Sequence, residues 1–504
     1  ETSRHHGHVK AVVDTMNRLG LERLLGTKKS KQRSMMLAMI ATQVLEPDSK
    51  LGMTRWWHTT TIPEMFGVEG ASEDDLYEAM DWLWERQGRI EKKLAKRHLK
   101  EGCLVLYDLS SSYFEGKTCP LARLGHNRDG KKGKLQVNYG LLTDRRGCPI
   151  ALSVYEGDTG DPSTLRDQVD KVRKDFGIVR MAMVGDRGMI SQKQIQRLKD
   201  VDGVDWITAL RTEAIRDLVE GGSIQIGLFD ERNLFEFTHP KYPGERLVAC
   251  RNPEMARRRK EKRKALLEAT KKELEKVRRM VESGRLKGQD KIGVRVGRVI
   301  NKYKVAKHFI LNIDKNSFSF KMDTKKIRRE ATLDGIYVIR TSLPEHVMMS
   351  KEAVLSYKKL SEIERAFRNM KGIDLLIRPI RHRMADRVQA HLFFCMLALY
   401  VQWHMREAWR PLLFSDEDLE AKEKRDPVAP AKRSDGALEK IHTKKLDNGM
   451  PVHSFSTLLK DLSSIVRNTC KRRDAEAAES SFTMDTVPNQ AQRRAYNLLG
   501  KISV

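Results

Sequence analysis

Residues 356–371, SYKKLSEIERAFRNMK, restrict what this chain can become more than any other stretch. At 3.6 residues per turn, Tyr357, Leu360, Glu364, Phe367 and Lys371 fall on one narrow stripe, because steps of three and four residues return to the same side of a helix. Leu360 and Phe367 belong against a core. Glu364 is therefore expected on the same buried or cleft-facing side, where an unpaired carboxylate costs several kcal/mol. The plain compensation is an ion pair one turn on, with Arg368. The alternative is a shared site with other carboxylates.

Two such carboxylates stand upstream. In CLVLYDLSSSYFEG, residues 103–107 are a short apolar, β-leaning run, and alternation (Leu104, Leu106, Asp108) keeps Asp108 on one face of the strand. In IVRMAMVGDRGMIS, residues 178–184 are another such run, closed by Gly185 and Asp186, and Gly188 turns the chain into a helix near Ser191. Acids at the mouths of strands are placed like catalytic groups, since open α/β sheets bind ligands beyond the carboxyl ends of their strands. Taken singly, each Asp reads more readily as a turn or capping residue than as a catalytic one.

Asp, Asp and Glu in this order, on a strand, a strand end and a helix, resemble the DDE transposases of the ribonuclease H-like superfamily. The likeness is to the bacterial insertion-sequence group whose last motif reads Tyr, two residues, Arg, three residues, Glu, six residues, Lys. Tyr357, Glu364 and Lys371 stand at those spacings, whereas Leu360 takes the place of the Arg. Lys358, Lys359 or Arg365 would supply a charge nearby.

The resemblance implies a fold, a site and a reaction. The fold is α/β: a ribonuclease H-like mixed sheet flanked by helices, with a β-rich insertion and an N-terminal helical domain. Asp108, Asp186 and Glu364 would hold two Mg²⁺ ions, for which Mn²⁺ could substitute, and catalyse cleavage at element ends and transfer of the 3′ ends. Tyr357, Lys371 and Arg187 would grip DNA phosphates, with Arg368 on the same helix. Partners would be double-stranded DNA, as terminal inverted repeats and target, and a second copy of the chain in a DNA-bound homodimer. The same triad would serve a nuclease without strand transfer, and a catalytically silent DNA-binding derivative is the remaining alternative.

Composition agrees with a polyanion partner. Lysine and arginine number 95 against 68 acids, a net charge of +27. Six cysteines (103, 119, 148, 250, 395 and 470) form no CxxC pair, which argues against a zinc site or disulfide framework and fits a reducing cytosol. The longest apolar run, residues 391–403, is too short to span a bilayer, so no membrane role is expected, and no signal-peptide pattern is read at the front.

In chain order, residues 1–100 read as basic helices, with helical spans at 8–25 and 33–45 and a long third helix from a Ser72–Asp75 capping box to about 98. By the resemblance they would bind the element's ends. Residues 101–212 read β-β-β-α-β-α-β, in which a helical crossover lets the fourth strand lie parallel beside the first and brings Asp186 to Asp108. An insertion follows at 213–343, β-leaning near 224–250 and 292–340, with a charged helix at 254–284. Residues 344–410 complete the catalytic domain with the Glu364 helix, the cationic loop of Arg378, Arg381 and Arg383, and a buried helix at 384–410. The C-terminal region, 411–504, reads as a charged linker to about 450 and an amphipathic helix at 454–467.

Overall fold

The structure is a computed structural model that describes residues 2–231, 233–420, 426–429, 432–471 and 481–503. The chain divides into two compact units. The first holds residues 1–208, 355–424 and 432–504, and the second holds 209–354 and 425–431.

The first unit opens with β1 (Thr2–His5) and seven helices: α1 (Gly7–Arg18), α2 (Leu21–Leu25), α3 (Lys31–Leu45), α4 (Lys50–Trp57), α5 (Ile62–Phe66), α6 (Glu73–Trp84) and α7 (Gln87–His98). Two spans expected as single helices are broken. The first, 8–25, turns at Gly20, which takes the left-handed φ of 58° that a glycine adopts without strain. The long helix from the Ser72–Asp75 capping box ends at Trp84 and restarts at Gln87. Its two halves bury different faces, Leu76, Ala79, Met80 and Leu83 of α6 towards α3 and a later helix, Ile90, Leu94 and Ala95 of α7 against the sheet, which one straight rod cannot do.

The sheet strands follow: β2 (Cys103–Tyr113), β3 (Gln136–Thr143), β4 (Pro149–Glu156), then α8 (Asp161–Asp170), β5 (Met181–Val184), α9 (Gln192–Lys199) and β6 (Val204–Ala209). Their spatial order is β4-β3-β2-β5-β6. β2, β3 and β4 pair antiparallel, and β5 lies parallel to β2 and to β6. This mixed sheet with helical crossovers has the strand order expected from the ribonuclease H-like resemblance.

The second unit contains α10 (Thr212–Glu220), β7 (Leu234–Phe237), β8 (Arg246–Arg251), α11 (Pro253–Glu282), α12 (Gln289–Lys302), the β9–β10 hairpin (Phe309–Ile313 and Phe318–Met322), α13 (Thr324–Ala331) and β11 (Ile336–Thr341). It is less β-rich than expected. The VRVGRVI segment, which reads as a strand, is helical in α12, where Ile292, Val296 and Ile300 recur every four residues and share a core with Leu274, Val277 and Val281 of α11. β11, β8 and β7 pair antiparallel over a second core around Leu218, Leu247 and Val338.

The chain then runs through α14 (Ser350–Lys358), α15 (Leu360–Lys371) and α16 (Ala385–Ala408), all but the ends of which are buried. α16 packs on α3 and α6 on one side and β4 on the other. The change near residue 100 is thus one of secondary structure, within a single body. Further on come α17 (Asp435–Thr443), α18 (Phe455–Leu462), β12 (Val466–Lys471), β13 (Ser481–Asp485) and α19 (Gln490–Leu499). The helix expected over 454–467 stops at Leu462, because Val466–Lys471 pairs with β1, a partner some 460 residues away that no local pattern announces. In the expected linker at 411–450, residues 421–425, 430 and 431 lie outside the described residues.

Candidate active site

Asp108 and Asp186 are brought together by strand register. In the parallel β2–β5 pair Cys103 faces Met181 and Leu106 faces Val184, so two further residues along each chain reach Asp108 and Asp186. Neighbouring strands lie about 4.8 Å apart. Asp108 sits within β2, half-buried, its carboxylate accepting a 2.8 Å hydrogen bond from the Leu109 N–H. Asp186 lies exposed just past β5, where its Oδ1 accepts from the N–H groups of Gly188 (2.9 Å) and Met189 (2.6 Å). Asp186 therefore shapes its own turn as well as facing Asp108.

The electrostatics record their proximity. The Asp108 carboxyl is pushed up to about 7, first by burial and next by the Asp186 charge, with the Leu109 N–H and Arg128 pulling the other way and Asp161 adding to the rise. Arg128 and Asp161 are a pair the sequence reading missed, 2.5 Å apart beside the acids. Asp161 is the first residue of α8, in a GDTGDPS segment that reads simply as a helix start.

Glu364 is placed differently from expectation. A break at Lys359 separates Tyr357 from the rest of the stripe, and α15 centres its buried face on Ile363, Ala366, Phe367 and Met370, so Phe367 is buried as expected and Leu360 only partly. Those four residues at spacings of three and four fix the inward face, so Glu364, one step round from Ile363, is exposed. Phe367 packs edge-on to Tyr139 of β3, ring centroids 5.8 Å apart. Gly147, at φ 83°, lets Glu362 of α15 come so close that a Cβ there would lie 2.7 Å from it. The bridge to Arg368 is not formed, and among the described residues no ion pair holds Glu364.

Tyr357 joins the three acids. Its hydroxyl is pushed up to about 12, by burial first and then by the charges of Asp186, Glu364 and Asp108, with Arg187 opposing. Arg187, Arg368, Arg381 and Arg383 are exposed, Arg381 with a 3.2 Å ion pair to Glu115. Lys371 and Arg378, expected to face DNA, instead converge on Asp129: Lys371 Nζ is 3.1 Å and Arg378 Nη1 2.5 Å from its Oδ1, while its Oδ2 accepts from the Tyr113 N–H. Burial draws the Lys371 ammonium below the usual lysine value, against the pull of Asp129.

A family model described as a transposase DDE domain matches residues 116–401, more than half of the chain. The chain belongs to this family. The matched span includes Asp186 and Glu364 and begins after Asp108. No curated protein matches the chain. Among solved structures, a piggyBac transposase synaptic complex with hairpin DNA, seen by cryo-EM, is similar over 90% of this chain and 78% of that one, at 9% identity and TM-score 0.40. A Mos1 transposase paired-end complex with the left transposon end is similar over 38% and 62%, at 11% identity and TM-score 0.16.

DDE transposases generally use divalent metal ions. The donor set here fits a hard cation: three carboxylates, no thiol or imidazole among them, one whose ionisation is opposed by burial and then by its acidic neighbour, and one without a cationic partner among the described residues. Among the described residues the trio of ligand atoms lying within 4.8 Å of one another is a different one, His98, Cys148 and His404.

Proposed function

We propose that the chain is a DNA transposase that cleaves at the ends of an insertion sequence and joins the 3′ ends to target DNA. The observation that carries this is the register that sets Asp108 opposite Asp186, with the Tyr357 hydroxyl sensing those two and Glu364 together. Asp108 and Asp186 would bridge two Mg²⁺ ions, with Mn²⁺ able to substitute, and Glu364 would complete one shell. When bound, such ions supply an activated water or 3′-hydroxyl and neutralise the leaving oxygen.

The protein's own groups position the DNA. With its pKa near 12, Tyr357 stays protonated at working pH and donates its O–H to a phosphate beside the acids. Arg187, next to Asp186, offers a second contact, and the exposed Arg368, Arg381 and Arg383 offer longer-range attraction to the duplex. The Asp129 knot gives Lys371 and Arg378 a different part: they brace the segment leading to that cationic loop. Two ends must be held at once, so the working form is a homodimer on DNA. Among the described residues no helix is long and apolar enough to cross a membrane.

The test is Mg²⁺-dependent nicking and strand transfer on DNA carrying a matched terminal inverted repeat. Wild type should nick and join, and Asp108→Ala should do neither. Equal nicking by both removes Asp108 from the site, and nicking without joining makes the chain a nuclease.

A further inference from the structure

Away from the acids, three soft-metal donors meet. His98, the last residue of α7, Cys148, immediately before β4, and His404, in the last third of α16, each bring one donor atom to within 4.8 Å of the others. Cys148 Sγ lies 3.9 Å from His404 Nε2. A tetrahedral ion with bonds of about 2.1 Å to nitrogen and 2.3 Å to sulfur sets such donors roughly 3.6 Å apart. The trio is therefore wider than a filled site by about 1 Å at most, a gap that small side-chain rotations close.

The hydrogen bonding sets the tautomer of His98. His98 Nδ1 lies 3.4 Å from Arg146 Nη2, a group that only donates, so Nδ1 carries the lone pair and Nε2–H is left to donate to the Tyr400 hydroxyl at 2.9 Å. A ring held through its second nitrogen in this way is what metal-bound histidines show. Arg146 has its own anchor, Asp144 at 2.8 Å, and can yield the position. Burial keeps both rings neutral, His98 near 4 and His404 near 3, and raises the Cys148 thiol well above its ordinary value. A thiol in that state ionises when a metal takes the sulfur, and its proton passes to solvent.

Space is present too. A cavity of about 550 Å³ opens on His98 and His404, with Arg97, Trp403 and Glu407 among its walls. Aromatic packing accounts for where the rings lie, His404 being 4.7 Å from Tyr400, and the Cys148 thiol faces the His404 ring nitrogen beside which an ion would sit.

We propose that His98, Cys148 and His404 form a three-ligand site for a thiophilic divalent cation of the Zn²⁺ class, with water from the cavity as fourth donor. The ion would tie α7, the β3–β4 turn and α16 together. The site is independent of the acidic centre, because neither the donors nor the metal class is shared.

The experiment is Co²⁺ titration of the chelator-treated full chain in excess Mg²⁺, which occupies carboxylate sites and leaves thiols alone. Wild type should bind one equivalent, develop a thiolate-to-cobalt band and tetrahedral d–d absorption, lose both to Zn²⁺, and melt higher with metal. Cys148→Ser should abolish the charge-transfer band, and His404→Gln should weaken binding by roughly 100-fold. No thiolate band in wild type, or an undiminished one in Cys148→Ser, overturns the proposal. Should either variant misfold, wild type still decides, since the thiolate-to-cobalt band and its loss to Zn²⁺ are read on the unaltered chain.

Discussion

Asp108 and Asp129 are both carboxylates beside β2, and their surroundings are opposite. Asp129 is saturated: two cations and a backbone N–H converge on a side chain only 2% exposed. Asp108 faces another acid, and its carboxyl is pushed up to about 7. The first arrangement compensates its charge within the fold, whereas in the second burial and a neighbouring acid both oppose ionisation. A carboxylate's place in the fold thus matters less to its role than whether the chain itself neutralises it.

The sharpest way to break the contrast is at Glu364. Exposed and without an ion pair among the described residues, it contributes little to folding, so Glu364→Gln should cut Mg²⁺-dependent nicking by at least ~10³-fold, about 4 kcal/mol of barrier. The melting temperature should not move. A retained rate would remove Glu364 from the site.

Asp129→Ala should do the reverse. It strands Lys371 and Arg378 without their anion and should cost about 3 kcal/mol in denaturant unfolding, the range for breaking one partner of a buried pair. A loss below about 0.5 kcal/mol would show the knot to be idle.

A smaller effect separates the two acids by pH. The folded pKa of Asp108 stands above its unfolded value, so ionisation costs stability, beginning near the ordinary carboxylate value and complete above about 7. In metal-free protein Asp108→Asn should therefore be more stable than wild type at pH 8, by roughly 2 kcal/mol after allowing for solvent screening. That advantage should fade as pH falls towards 4. Mg²⁺ should stabilise wild type at pH 8 and not the variant.

The smallest effect is on the exposed cations. Arg383→Ala should weaken DNA binding uniformly across sequences and reduce the salt slope by about 1, with stability unchanged. Arg378→Ala should lower stability first, because its guanidinium is spent on Asp129. Binding titrations at several salt concentrations, run beside melts, separate the two.

Much of this was legible in the sequence. The β-leaning runs ending at Asp108 and Asp186, with a helical crossover before the second, were enough to place those acids on adjacent parallel strands, since handedness and strand pairing leave few alternatives. The Asp129 knot was not legible, because Asp129-Gly130 reads as an ordinary turn while its partners lie 242 and 249 residues along the chain. The side of the helix on which Glu364 lies was misread for a related reason. Leu360, Glu364, Phe367 and Lys371 do share one continuous helix, but its buried face is centred on Ile363, Ala366, Phe367 and Met370, a choice made by packing that leaves Glu364 at the exposed edge.

By itself, then, the sequence determined the alternation of strands and helices, the two acids that register aligns, and the cationic balance that suits a polyanion, for these follow from short-range periodicity and from composition. Tertiary structure alone decided which charges are neutralised within the fold and which are left for a ligand, and it alone gathered His98, Cys148 and His404. Compensation and coordination depend on distances between residues hundreds of positions apart, and only packing sets those distances.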